Sequence, residues 1–159
     1  MFCRGKPDPT DLNYTVNPGK YKAWVAYGQS KSANILYAKS LAEKLKGTKL
    51  QAVSVHPGII QTALWRQSFF NKMVGGLIAK KSVPQGAATS IYACVCPRIM
   101  TEGMRGEYLI DCGPSTELTD YCLDANGELR EAVWQATEKE LQGALTAAGL
   151  GSIPPLPTV

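Results

Sequence analysis

The chain has 159 residues, 45% hydrophobic and 19% charged, a composition of globular type and a length suited to one domain. Its net charge of +4 comes from 17 basic against 13 acidic residues and is spread along the chain, with no block longer than Lys80-Lys81, so no nucleic-acid partner is expected. Five cysteines without paired spacing and a single histidine offer no metal-ligand pattern and no disulfide framework, and no run approaches the ~18 apolar residues of a membrane span. These features predict reduced thiols and a soluble, cytoplasmic chain, with a membrane anchor only if an N-terminal segment outside these residues carries one.

Residues 1–22 are rich in Pro, Gly, Asp, Asn and Thr without any period, and read as loop. Residues 25–46 lack Pro and are dense in Ala, Leu, Lys and Glu. Apolar or small residues at Ala33, Leu36, Tyr37, Leu41 and Leu45 fall at helical spacing, and Gly47 stands just past the end, with Lys44 and Lys46 in the last turn. This predicts one long helix. Residues 50–56 are short and β-rich, and Pro57-Gly58 ends them in a turn. Residues 59–72, with Trp65, Phe69 and Phe70 interleaved with polar side chains, predict a short helix. Ser82-Val83-Pro84-Gln85 looks like an N-cap with Pro just inside it, opening a helix through about residue 96. Residues 106–112 give a second strand and residues 127–148 a last helix. Residues 151–159 form a Pro-rich tail.

Strands alternating with helices of these lengths argue for parallel β/α units. Two strands do not make a stable parallel sheet, because such strands need neighbours and cover on both faces. The expectation is therefore an α/β chain that is the end of a fold, a single partial domain over 1–159.

Tyr27-Gly28-Gln29-Ser30-Lys31 places a phenol and an ammonium four residues apart, on one face near the start of the long helix. A free phenol titrates near ~10, and an adjacent cation favours its ionised form, which is what a tyrosine needs to serve as an acid–base group. A bare Tyr-x-x-x-Lys is common on surface helices. The surroundings add weight: Ala26-Tyr27-Gly28-Gln29-Ser30-Lys31-Ser32-Ala33-Asn34 is followed by His56-Pro57-Gly58-Ile59-Ile60-Gln61-Thr62. In order and separation these resemble the short-chain dehydrogenase/reductase superfamily, in the branch of the retinol dehydrogenases and the WW-domain oxidoreductase. The resemblance runs over about residues 11–141 and is strongest from Tyr27 to Thr62.

That resemblance implies the C-terminal portion of a Rossmann-type doubly wound parallel sheet. It implies interconversion of an alcohol and a carbonyl by hydride transfer with NADP(H) or NAD(H), on a small apolar substrate. Tyr27 would be the acid–base group, and Lys31 would assist it and bond the nicotinamide ribose. Pro57, Gly58 and Ile60 would form the turn beside the nicotinamide, and Thr62 would bond the carboxamide or a phosphate oxygen. No metal is implied. In the complete protein the Tyr27-bearing helix would pack in a homodimer. His56 invites a catalytic role as the lone histidine, but its place at a strand end favours a structural one. Asn34 is read as a packing or backbone-bonding residue, and Trp65, Phe69 and Phe70 as either a substrate wall or core.

The sequence also departs from the family. The pattern Thr-Gly-x-x-x-Gly-x-Gly, which cradles a pyrophosphate at a helix N-terminus, is absent, as are the Asn-Asn-Ala-Gly strand and the serine that polarises the substrate carbonyl. The N-terminal cofactor-binding half of the fold is thus expected to be missing. A second reading stands beside the enzyme: a truncated, non-catalytic remnant or interaction module of the same family.

Overall fold

A computed structural model describes residues 5–60 and 81–157. Residues 5–22 carry no regular structure beyond one 3-10 turn at Pro18–Lys20. They lie against the helix that follows. Gln29 donates from Nε2 to the Lys6 carbonyl at 2.8 Å and accepts from the Tyr14 hydroxyl. A Cβ on Gly5 would stand 2.7 Å from the Gln29 nitrogen and 2.8 Å from the Val25 carbonyl oxygen, so only glycine permits that approach.

Helix α1 spans Ala23–Lys44 and carries both Tyr27 and Lys31. Its buried residues are mostly small, Gly28, Ser32, Ala38, Ser40 and Ala42, with Ile35 and Leu36 as the large anchors. The helix begins without a side-chain cap. Its C-terminal end is closed from afar, because the Arg105 guanidinium donates to the carbonyls of Leu45, Thr48 and Leu50 at 3.4, 3.2 and 3.1 Å. A planar fork of five donors suits three carbonyls clustered just past the helix end better than a lysine would.

Strand β1, Ser54–His56, pairs in parallel with β2, Tyr108–Ile110, in the register Ser54↔Tyr108, Val55↔Leu109 and His56↔Ile110. A third short strand, β3 at Gly113–Pro114, pairs antiparallel to β2, an addition to the two strands legible in the sequence. The two-residue link between β2 and β3 puts Asp111 at φ 51° and Cys112 at φ 61°, the left-handed pair of a type I′ hairpin turn. Sequence order and spatial order agree, β1-β2-β3. The predicted strands were longer, because β-rich composition does not say how many residues find a partner.

Alternation along β2 sends neighbouring side chains to opposite faces. Tyr108 joins Ile35 of α1 and Cys122 in one buried cluster, with Leu118 and Tyr121 packed on it. Leu109, fully buried, joins Ile99 and Met104 in the other, with Val53, Tyr92, Ala93 and Cys96. The second face is covered by helix α2, Val83–Val95, and the short α3, Arg98–Thr101. Helices on both faces of a parallel pair give the doubly wound arrangement. The start of α2 matches its sequence signal: Gln85 N–H donates to Ser82 Oγ at 3.4 Å, and Ser82 N–H donates to Gln85 Oε1 at 2.8 Å, a complete capping box.

The short helix α4, Asp120–Leu123, and the long α5, Glu128–Ala147, complete the chain. The Lys39 ammonium donates to the last carbonyls of α4, Cys122 and Leu123, at 2.6 and 2.9 Å, and its burial pushes its pKa below the ordinary lysine value. The buried Asp124 carboxylate accepts the first-turn N–H groups of α5 from Leu129 and Arg130, at 3.1 and 3.0 Å. Helix α5 packs along α1 through a Tyr37–Trp134 stack, a Ser40 hydroxyl bonded to the Arg130 carbonyl, and a Lys44–Glu131 ion pair. The Pro-rich tail turns back on α5, where Gln142 holds Gly151 and Ile153 by their backbones. The predicted helix over 59–72 falls mostly outside the described residues. Its first two, Ile59 and Ile60, form a bend and an isolated bridge to Lys81 instead of helix.

Candidate active site

Tyr27 lies in the second turn of α1, 43% exposed. Lys31, one turn on and half-buried, holds its Nζ 5.2 Å from the centre of the Tyr27 ring. That is cation–π distance, so the four-residue spacing has brought the two side chains together as the helix period requires. Trp24, 81% exposed, meets the Tyr27 ring edge-on at 6.3 Å. Ser30 is occupied locally, donating to the Tyr27 carbonyl at 2.7 Å, and the buried Ser32 hydroxyl donates to the Gly28 carbonyl at 3.0 Å. Asn34 is exposed.

The second group sits where β1 ends. His56 is the last residue of the strand, and its Nδ1 accepts the Gly58 N–H at 2.7 Å. Gly58 takes φ 87°, a left-handed conformation that explains the glycine after Pro57. The chain then runs through Ile59, whose carbonyl accepts the Lys81 N–H at 3.3 Å, to Ile60. The Ile60 side chain fills the space over Gly86, where a Cβ would collide with its Cδ1. Thr62, Trp65, Phe69 and Phe70 lie outside the described residues. Helix α1 packs against β1, so the Tyr27–Lys31 pair and the Pro57–Ile60 turn belong to adjoining elements.

Two residues of this region were not found by reading motifs, Lys81 and Asp111. They form an ion pair across the ends of β1 and β2, with Lys81 largely buried and Asp111 exposed. The Lys81 stem runs over Gly58, its Cδ, Cε and Nζ lying 2.7–2.9 Å from where a Cβ would stand. Beside them the Cys112 N–H donates to the buried Thr89 hydroxyl at 3.4 Å. The usable signal was topological. Parallel strands end on the same side of a sheet, so Asp111, just past β2, falls beside the turn that follows β1, at the edge where open α/β sheets bind ligands; Lys81, far past β1 in sequence, is brought there by its bridge to Ile60. Burial above all, with the positive charge of Lys81 among the smaller causes, holds His56 below its ordinary value of 6.5, while Asp111 works against that shift. Among the described residues no group of three or more His, Cys, Asp or Glu side chains could hold a metal ion. The four described cysteines, Cys94, Cys96, Cys112 and Cys122, are free thiols.

Helices on both faces of a parallel pair, and a glycine turn at its carboxyl edge, place the chain in the Rossmann-type α/β class. No protein-family model and no solved structure matches it. Curated relatives do. It is 35% identical over 133 residues to the chloroplastic short-chain dehydrogenase TIC 32 B of Brassica napus, covering 80% of this chain and 40% of the relative. It is 33% identical over 144 residues to retinol dehydrogenase 14 of Homo sapiens, covering 87% and 40%. With retinol dehydrogenase 12 of Mus musculus it shares 36% over 95 residues, covering 58% and 29%. The chain belongs to the short-chain dehydrogenases, an oxidoreductase family, in their retinol-dehydrogenase-like branch. It spans about 40% of the length of the relatives matched over most of it, in their C-terminal part.

Proposed function

We propose that these residues form the proton-handling half of an oxidoreductase that interconverts an alcohol and a carbonyl with NADP(H) or NAD(H) on a small apolar substrate. The observation that carries this reading is the Tyr27–Lys31 pair, with Nζ 5.2 Å from the ring centre on an accessible turn of α1. The family membership supplies its context. The dinucleotide supplies the hydride chemistry when bound. Of the groups present, those at hand suit its nicotinamide end: Lys31 for the ribose, and the turn of Pro57, Gly58 and Ile60, with Thr62 beyond it, for the ring and its carboxamide. Gly58 gives that turn its shape, with φ 87° and the Lys81 stem lying where a side chain would stand.

In this reading Tyr27 gives its phenolic proton to the carbonyl oxygen during reduction and takes the alcohol proton during oxidation. Lys31 stabilises the phenolate that each transfer leaves or requires. The N-terminal end of α1 adds a favourable field for the same negative charge. The free thiols suit a reducing compartment, the cytoplasm, and among the described residues no helix is long and apolar enough to cross a membrane. A homodimer packed through α1 is part of the same proposal for the complete protein.

The test is Tyr27→Phe in the complete protein, assayed for turnover and for cofactor affinity separately. The expected result is a 10²–10⁴-fold fall in kcat with little change in affinity, the range typical for loss of an acid–base group. Near-normal turnover would retire the role. A second reading, a non-catalytic interaction module, is favoured by one feature: Val83, Ile91 and Val95 of α2 are 60%, 58% and 70% exposed at helical spacing. An apolar stripe of that kind suits a protein contact, and an inactive complete protein would select this reading.

A further inference from the structure

We propose that His56, Lys81 and Asp111 form a brace that positions the Pro57–Ile60 turn, with neutral His56 as its pin. The proposal deepens the reading of that turn as the nicotinamide contact and rests on it. Three observations converge. His56 Nδ1 accepts the Gly58 N–H at 2.7 Å, which only a neutral imidazole with its proton on Nε2 can do. The ring is held edge-on by Tyr108 at 6.2 Å, on the α1 face of the sheet. Lys81 grips the turn twice, by its N–H on the Ile59 carbonyl at 3.3 Å and by its stem laid over Gly58.

The Lys81 ammonium is itself tied to Asp111, in the hairpin turn that follows β2. The brace therefore fixes the turn to both strands at the carboxyl edge. Protonating His56 removes the acceptor and places a second cation beside Lys81, so the pin releases as pH falls. Among the described residues, the charged and phenolic groups set against the imidazole include Lys81 and Asp111, at the carboxyl edge of the sheet, and Tyr108 on β2. The depressed His56 value agrees, since burial and Lys81 both disfavour the imidazolium. With the folded value below 6.5, the bond is complete above that pH and is lost as pH falls through the folded value.

The test uses the full 159-residue chain labelled with 15N. His56 is the only histidine, so its titration is read without ambiguity. The Gly58 amide should shift with the same midpoint as His56. Lys81→Met should raise that midpoint, because it leaves Asp111 unopposed, and Asp111→Asn should lower it. His56→Asn, whose side-chain oxygen can accept the same N–H, should hold the Gly58 signal at its neutral position from about pH 5 to 8, and His56→Leu should lose that position throughout. A Gly58 amide at its random-coil position well above the midpoint would overturn the brace, and so would shifts of the same sign in the Lys81 and Asp111 variants. Millimolar nicotinamide mononucleotide separates the two claims. If the Gly58 and Ile60 amides ignore it while the coupled titration persists, the cofactor reading falls and the brace stands.

Discussion

Trp134→Ala probes how the helix bearing Tyr27 and Lys31 is held. Trp134 is 4% exposed in α5, stacked on Tyr37 of α1 with ring centres 4.5 Å apart and planes 18° from parallel. Lys44 of α1 adds its Nζ 5.0 Å from the indole centre. Truncating a buried tryptophan costs about 3–5 kcal/mol. The stack contributes about 0.5–1.5 of that beyond area burial, and the partly exposed cation about 0.5–1. The tail residues Ile153 and Leu156 line a cavity of about 300 Å³ beside Tyr37 and Trp134 and can settle partly into the gap, so about 4 kcal/mol is the expected cost. With a urea slope of about 2 kcal/mol/M, the unfolding midpoint should fall by about 2 M. Trp134→Phe keeps a ring on Tyr37 and should lose about 1–2 kcal/mol. Urea titration followed at 222 nm measures both. A fall below about 0.5 M for the alanine variant of the complete protein at unchanged slope would refute the packing argument.

Two further perturbations address the site. Lys31→Ala in the complete protein removes the charged donor assigned to the nicotinamide ribose, so cofactor binding measured by calorimetry should weaken by about 10–100-fold, the equivalent of one charge-assisted hydrogen bond. Gly58→Ala forces a side chain onto φ 87° and into the Lys81 stem; thermal unfolding should show a loss of about 1–2 kcal/mol, chiefly the left-handed penalty, since the flexible lysine can move aside.

The sequence revealed those parts of this molecule whose physics is local. The α1 period, the Ser82–Gln85 box and the 3.6-residue logic that sets Lys31 over Tyr27 depend on neighbours within one or two turns. Each appears where the residues put it, with helix ends within two residues for α1 and one for α5. What escaped depends on partners far along the chain. The strands shrank to three residues because pairing, which ties 54–56 to 108–110, decides where a strand stops. The short helix at Asp120–Leu123 is too brief to carry a period, and its last carbonyls are satisfied by Lys39, more than 80 residues away. The same holds for Arg105 at the end of α1.

The site divides along the same line. Tyr27, Lys31, Pro57 and Gly58 could be singled out from the sequence because the patterns that suggest a role for them are short spacings. Lys81 and Asp111 carry no motif, and their ion pair becomes visible only once β1 and β2 are known to run parallel and residue 81 is known to bridge to Ile60. His56 lies between these cases. Its neighbours Pro57 and Gly58 marked a turn, but the sequence did not show that the imidazole would accept the glycine N–H. A histidine used this way must remain neutral to do its work. For this reason the lone titratable imidazole of the chain is better understood through the turn it holds than through proton transfer to a substrate.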